Sequence, residues 1–353
     1  MSSASIIPLL NKWREGITKL MKSSEKVAII HHWDTDGIAS AVLMSKLFIH
    51  KSFSYHIPRI GLYELDAIDI RSIRNYSPDV IMILDYGVGK DVIEELRREL
   101  GGRLIVIDHH ITNLKGDLIC NPVNIIHNKD GVPSTTWLIR DIFRIERYPT
   151  LIALGVAGDY GRYLEKSNLL KIIKDMIREK NISIDQLIKA SLMIDACYRC
   201  GDYNGIHHAR QILMKYGVEK VLEDAILKKN LEYINEEIHE ILSEITEIKI
   251  EGPIIVFEVE TNNYITSYLG RELAYKYNDR IIVLINYVKR LGISYIYVRS
   301  YKYSLNRALM ELRRKGLYVG GKDNVFVVTC KTKDCEEEKD LTLRVLMKTL
   351  SGD

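Results

Sequence analysis

No long hydrophobic run occurs in this chain, and none of its apolar stretches approaches the roughly 20 residues that a membrane-spanning helix needs. The opening MSSASIIPLLNKWREG has neither a basic n-region nor a small-residue cleavage site, so a cytoplasmic protein with no membrane partner is expected. Cysteine is scarce: five in 353 residues, an odd number in a long chain, which argues against a disulfide framework. An excess of one charge is missing too. A net charge of +3 permits a nucleic-acid partner but lacks the concentrated positive charge of a duplex-wrapping protein. Disorder is excluded by a hydrophobic content of 46%, and the length suffices for two domains with their own cores.

Cys197 and Cys200 stand as C-x-x-C, and Cys330 and Cys335 as C-x₄-C. Four thiolates would suit a tetrahedral zinc ion, but nothing in the sequence brings the two pairs together, so buried free thiols are the expectation. The composition, rich in Lys, Glu, Ile and Tyr and poor in Gln, resembles thermophile usage, where an intracellular disulfide is also permitted.

What the chain does have is a series of four aspartate-centred clusters in its first 160 residues. They read His31-His32-Trp33-Asp34-Thr35-Asp36-Gly37, Asp85-Tyr86-Gly87, Asp108-His109-His110 and Asp159-Tyr160-Gly161. The first three follow KVAII, DVIMIL and RLIVI, short β-branched runs expected to be buried parallel strands, and the fourth closes the apolar segment LIALGVAG. Taken singly, an aspartate after a strand is an ordinary turn residue or helix N-cap. Taken together, carboxylates and imidazoles at the carboxyl edge of an open α/β sheet face one crevice. They would repel one another unless cations neutralise them. Two divalent ions about 3.5–4 Å apart would do so while activating water.

At these residues the chain resembles the DHH phosphoesterase superfamily, whose third motif is Asp108-His109-His110 here. The H-x-D-x-D-G motif of its RecJ-like branch is matched by His32-Trp33-Asp34-Thr35-Asp36-Gly37 and the small-residue helix IASAVL. Asp85 and Asp159 fit the second and fourth motifs. The sequence VGGKDN at 319–324 is similar to the glycine-rich turn of the family's substrate domain, DHHA1, although Lys322 stands where the family has His. A lysine holds phosphate as a point charge without an imidazole's geometry.

The resemblance implies that Asp34 and Asp85, with His32, hold one ion, and that Asp36, Asp85, His109 and Asp159 hold the other, with Asp85 bridging. Mn²⁺ suits this mixed set, two ions in all, with Mg²⁺ as the alternative. Asp108 would orient an imidazole, and His110 would contact the scissile phosphate or assist the leaving oxygen. His31 replaces His32 as a ligand if the strand ends one residue earlier. Arg299-Ser300, Gly320, Gly321 and Lys322 would grip substrate phosphates.

Three parts are expected: a DHH catalytic domain over 1–215, a linker helix over 216–250, and a smaller α/β, DHHA1-like domain over 251–353. Leu9, Leu10, Trp13, Ile17, Leu20 and Met21 place an amphipathic helix before the first strand. From 26 to about 110, strands alternate with helices, the pattern of a doubly wound parallel sheet, and helices dominate from Pro133-Ser134-Thr135-Thr136 to about 215. Leu227, Leu231, Ile234, Ile238, Ile241 and Ile245 recur at heptad spacing, in a connector helix rather than a dimer seam. Strands follow at PIIVFEV, RIIVLIN and ISYIYVRS, and Tyr301, Lys302 and Tyr303 interleave aromatic and basic groups as base-stacking surfaces do. Asp202, Tyr203, Asn204, His207 and His208 form a polar turn read as a crevice wall.

The function these expectations converge on is a metal-dependent exonuclease on single-stranded DNA or RNA in replication or repair, similar to short archaeal helicase-associated DHH nucleases. A helicase or replication factor is the expected protein partner. One alternative is a small-nucleotide or oligoribonucleotide phosphodiesterase, whose longer first motif is absent. Another is a non-catalytic replication-fork scaffold, which retention of all four motifs opposes.

Overall fold

The computed structural model describes residues 6–61, 64–87, 90–101, 103–110, 116–122, 132–330, 333 and 335–351. The chain divides into two compact units, Met1–Tyr198 with Asp202–Leu231, and Arg199–Gly201 with Glu232–Asp353.

In the first unit, helix α1 (Ile7–Lys22) precedes five strands: β1 (Lys26–His31), β2 (Ser52–His56), β3 (Val80–Leu84), β4 (Arg103–Ile107) and β5 (Leu118–Cys120). They pair in parallel in the order β2-β1-β3-β4-β5. The central strands are apolar apart from Lys26, His31 and Arg103 at their ends, because helices cover both faces of the sheet. All of β3 is buried, and β1 and β4 are buried beyond their first residue. Edge strand β2, SFSYH, is more polar and only partly buried. The crossovers contain α2 (Thr35–Leu47), α3 (Ala67–Tyr76) and α4 (Lys90–Leu100).

After the sheet come α5 (Thr135–Phe143), α6 (Pro149–Tyr160), a 3₁₀ turn (Gly161–Lys166), α7 (Leu169–Ile177), α8 (Ile184–Arg199), α9 (Tyr203–Lys215) and α10 (Val218–Val221). Helix α2 is buried nearly all round and packs against α5, α6 and α9. Helix α1 buries Trp13, Ile17 and Met21 and packs on α5 and β5, as its periodicity requires.

Helix α11 (Ala225–Glu244) carries the heptad stripe from Leu227 to Ile241, and Leu227, Ile234 and Ile238 are buried. The second unit has six strands in the order β10-β11-β9-β8-β7-β6: β6 (Glu247–Glu251), β7 (Ile254–Thr261), β8 (Ile281–Val288), β9 (Ile293–Ser300), β10 (Val319–Lys322) and β11 (Val325–Cys330). Only β7 and β8 pair in parallel, across helix α12 (Thr266–Lys276); the other pairs are antiparallel. Helices α13 (Asn306–Arg314) and α14 (Glu336–Ser351) complete it, and a core of Val256, Val283, Ile296, Leu312, Phe326 and Leu346 lies between sheet and helices.

Two sequence expectations change here. Gly320 and Gly321, read as a turn, lie in edge strand β10, and Asp323-Asn324 makes the tight turn into β11. Gly321 is needed for close approach: a Cβ there would collide with the Val325 carbonyl and the Phe326 backbone. The polar turn at Asp202 is a helix cap. Its carboxylate accepts from Gly205 N at 2.9 Å and from Asn230 Nδ2 at 3.0 Å, while Tyr203 Oη accepts from Ile60 N at 2.9 Å.

Candidate metal centre

From β1 the chain crosses to β2 on one side, then returns to β3 on the other, so the loops after β1 and β3 part and leave a crevice at the strands' carboxyl ends. Backbone pairing runs past the strands to the motif residues. His32 N donates to Leu84 O (3.2 Å), Asp85 N to Ile107 O (3.0 Å) and Asp108 N to Cys120 O (3.1 Å). Each motif therefore starts from a fixed backbone position.

Asp34 is the N-cap of α2, as its place after a strand suggests. One carboxylate oxygen accepts from Gly37 N at 3.0 Å, and the other lies 2.7 Å from His32 Nδ1. Burial alone would raise the Asp34 pKa, but the His32 charge and these hydrogen bonds outweigh it and hold the carboxyl low. Asp36, one residue into the helix, is 1% exposed. Its carboxylate sits at the N-terminus of α5 and accepts from Thr135 N at 2.6 Å and Thr136 N at 3.1 Å. Burial and the neighbouring Asp34 charge push its pKa up to about 6 against the pull of these N–H groups.

Asp85 sits between the two. Its φ of +53° places it in the left-handed region, which aspartate tolerates better than most side chains, and it is 1% exposed. Oδ1 accepts from Thr135 Oγ1 at 2.9 Å, while Oδ2 is buried with no hydrogen-bond partner among the described residues. Burial first, then the charges of Asp36, Asp34, Asp159 and Asp108, raise its pKa well above the carboxylate range. An aspartate so held is poised for a cation.

Asp159 reaches the crevice because α6 comes very close to α2. A Cβ on Gly155 would collide with Thr136 Oγ1 and Asp36 Oδ1, and one on Gly158 would lie 2.8 Å from Thr35 Cβ. His109 Nε2 lies 3.2 Å from Asp159 Oδ2 and 3.5 Å from Asp85 Oδ1. Its Nδ1 lies 3.2 Å from the Val132 carbonyl, which can only accept, so Nδ1 carries the proton in the neutral ring and Nε2 turns its lone pair to the carboxylates. Asp108, fully buried, accepts from His109 N (2.9 Å) and from His110 Nδ1 (2.8 Å), directing the partly exposed His110 ring. Burial would raise the Asp108 pKa, but the His110 charge and hydrogen bond keep it below the usual value.

Three groups therefore offer ligand atoms within 4.8 Å of one another: His32, Asp34 and Asp85; Asp36, His109 and Asp159; and Asp85, His109 and His110. Neighbouring ligands on a six-coordinate ion with bonds of about 2.1 Å lie about 3 Å apart, close to the His109–Asp159 spacing. The buried Oδ2 of Asp85 and the oriented lone pair of His109 also fit such an ion. His31 is not in these groups: it is buried, its Nδ1 lies 2.7 Å from the His32 carbonyl, and burial keeps it neutral with a pKa of about 3. No cysteine contributes to a metal-ligating group among the described residues; all five are buried free thiols.

Sequence reasoning missed the residues that hold this arrangement. Thr135 bonds both Asp36 and Asp85. Asp195 on α8 accepts from Thr35 N at 2.9 Å and Thr35 Oγ1 at 2.6 Å, fixing the residue between two carboxylates. The cap Ser134, which accepts from Trp137 N at 3.1 Å, was the usable signal, since a capped helix start is an anion site.

Of the second-unit residues, Arg299 and Lys322 both register with Val325, so they share one face of the sheet about 10 Å apart, two strand spacings. Arg299 Nη1 donates to Tyr297 Oη at 3.0 Å, its guanidinium lies over Tyr301 at 5.0 Å, and Nε is buried with no partner among the described residues. Ser300 is engaged elsewhere. Its hydroxyl donates to Arg280 O (3.0 Å) and accepts from Tyr303 N (3.0 Å), holding the turn after β9 rather than facing a ligand.

The raised carboxyls give a pH prediction. In the metal-free fold, protonated Asp36 and Asp85 relieve repulsion, so their contribution to stability is present below the unfolded value near 4 and is lost as pH rises through the folded values, about 6 for Asp36. A metal must displace those protons. Mn²⁺ is expected to bind at least about tenfold more weakly at pH 5 than at pH 7, and to raise Tm correspondingly less. Equal Tm gains at both pH values would contradict the assignment of Asp36 as a ligand.

Residues 26–158 match the DHH family, N-terminal domain. Those residues form a DHH domain, which takes in the parallel sheet and most of the candidate metal centre. No curated protein matches the chain significantly. Among solved structures, it is similar to a DHH-domain protein described as a member of the s1p family of ribosomal proteins, with TM-score 0.72, 17% identity, and 99% of this chain and 92% of that one covered. It is also similar to RecJ of Thermus thermophilus in complex with Mn²⁺, with TM-score 0.65, 14% identity, and 95% and 54% covered. An exonuclease RecJ bound to manganese gives TM-score 0.63, 16% identity, and 95% and 93% covered. At these identities the likeness is one of fold. Among the described residues, no helix is long and apolar enough to cross a membrane.

Proposed function

We propose that this chain is a metal-dependent phosphodiesterase acting as an exonuclease on single-stranded nucleic acid. The observation that carries the reading is the convergence of His32, Asp34, Asp36, Asp85, His109 and Asp159 into overlapping ligand groups at one strand edge. His32, Asp34 and Asp85 would hold one ion, and Asp36, His109 and Asp159, with Asp85 shared, the other. Mn²⁺ fits the imidazole-containing donor set better than Mg²⁺. RecJ structures described in complex with Mn²⁺ and with Mg²⁺ support a divalent ion at such a site.

Bound there, the two cations would supply an activated water and neutralise charge on the scissile phosphate. The side chains divide the remaining work. Asp85 fixes the spacing, Thr135 and the α5 N-terminus orient Asp85 and Asp36, and Asp108 directs His110 toward the phosphate or the leaving oxygen. The substrate's other phosphates need cations of their own, and Arg299 and Lys322 of the second unit would supply them in this reading. Arg299→Ala and Lys322→Ala are each expected to raise KM about tenfold or more with a smaller effect on kcat, as loss of a charged hydrogen bond does. Unchanged KM in both would remove that face of the second unit from the substrate site.

The domain limits proposed are a catalytic domain over 1–215, a linker over 216–250 and a substrate-binding domain over 251–353. A strand opened by a helicase or replication factor in the cytoplasm would suit an enzyme selective for single strands. The test uses end-labelled single-stranded DNA, RNA and duplex DNA with Mn²⁺, with Mg²⁺ and with chelator. Mononucleotide release from single strands, abolished by chelation, is expected. Intact substrates in the presence of metal-loaded protein would overturn the reading.

A further inference from the structure

We propose that Tyr160 and Tyr163 form a stacking platform for a nucleobase beside the metal centre. The inference rests on the single-strand reading above and extends it from the phosphates to the bases.

Helix α6 ends with Asp159 and Tyr160, so the platform begins at the residue following a carboxylate of the centre. Gly161, with φ +52°, bends the chain into the 3₁₀ turn. That turn is anchored: Leu164 is fully buried, and its carbonyl accepts from Ser167 N at 3.1 Å and Ser167 Oγ at 2.9 Å. The result brings the Tyr160 and Tyr163 rings into a near-parallel stack, with centroids 6.2 Å apart and planes inclined by 26°. Tyr160 is half-buried, whereas Tyr163 is 61% exposed, so most of its side chain lies in solvent.

A large ring held in place on a fixed turn offers stacking area at low entropic cost. The chemistry around it selects the occupant. The turn carries two exposed cations, Arg162 and Lys166, against Glu165 within it and Asp159 before it, so a nucleic-acid backbone meets cations in the same segment as the rings. A strand whose phosphate lies at Asp159 must place the attached base within one nucleotide of that phosphate. Tyr160 and Tyr163 are the aromatic pair adjoining that carboxylate in the chain. Stacking tolerates any base, so the platform would favour nucleic acid over phosphate chains without bases, with little sequence preference.

The test measures binding of the full-length protein by fluorescence anisotropy, with Ca²⁺ replacing Mn²⁺ to suppress hydrolysis. Two short DNA single strands are compared, one with all bases and one with tetrahydrofuran abasic residues at its terminal positions. The wild type is expected to prefer the base-bearing strand by at least about tenfold, as base–aromatic stacking provides. Tyr163→Ala should remove most of that preference by weakening binding of the base-bearing strand alone, and Tyr163→Phe should restore it. An unchanged Tm would exclude a folding defect in the exposed-site variant. Equal wild-type affinity for the two strands, or an equal loss on both in Tyr163→Ala, would overturn the platform. A wild type that shows the preference but hydrolyses no strand with Mn²⁺ would leave the platform standing and overturn the nuclease reading.

Discussion

Asp85→Asn is expected to abolish binding of both metal ions and to lower metal-dependent hydrolysis by at least about a thousandfold, while raising the Tm of the metal-free protein by at least about 2 °C. The two effects share one cause. Asp85 is buried among Asp34, Asp36, Asp108 and Asp159, and its ionisation is opposed first by burial and then by those charges. Asparagine keeps the shape, the acceptor for Thr135 Oγ1 and a tolerance for φ +53°, so the backbone has no reason to move. What disappears is the charge that a bridging ligand needs and that the metal-free fold accommodates at a cost. Activity and stability moving in opposite directions distinguishes a metal bridge from an ordinary structural aspartate, whose loss would lower both. The measurements are Mn²⁺ titration calorimetry and thermal denaturation in chelator.

His110→Ala is expected to lower kcat by about a hundredfold or more while leaving Mn²⁺ affinity within about threefold of the wild type, in keeping with loss of a positioned proton donor or phosphate contact. Its ring is one-third exposed, and its Nδ1 is held by Asp108 at 2.8 Å. The other motif histidine behaves differently, since His109 points its lone pair between Asp85 and Asp159, and His109→Ala should weaken metal binding first. Rate and metal-binding measurements on the two variants separate the roles. Parallel loss of metal in both would make His110 a ligand, consistent with its place beside Asp85 and His109.

The strands and the motif residues gathered at their ends were legible because each signal is local. A β-branched run followed by aspartate within two or three residues fixes both the strand and the edge at which its carboxylate emerges, as at VIMIL-Asp85 and RLIVI-Asp108. The supports were not legible, because they join distant positions. Thr135 meets Asp36 across 99 residues and Asp85 across 50, and Asp195 meets Thr35 across 160. Only the packing of α5, α6 and α8 around α2 brings them together. Small residues gave a faint signal: Gly155 and Gly158 in GVAGD permit the close approach that carries Asp159 in, but in sequence they read only as a small-residue apolar segment. In the second unit, the glycine pair was misplaced because a two-residue hairpin needs only Asp323-Asn324, which leaves Gly320 and Gly321 to extend β10.

The central claim is tested most directly by crystals grown with Mn²⁺ and measured at the manganese absorption edge. Two anomalous peaks about 3.5–4 Å apart, both within bonding distance of Asp85, with His32 and Asp34 on one and Asp36, His109 and Asp159 on the other, are the predicted result. No peak, or a single peak that leaves His109 and Asp159 bonded only to each other, would contradict it.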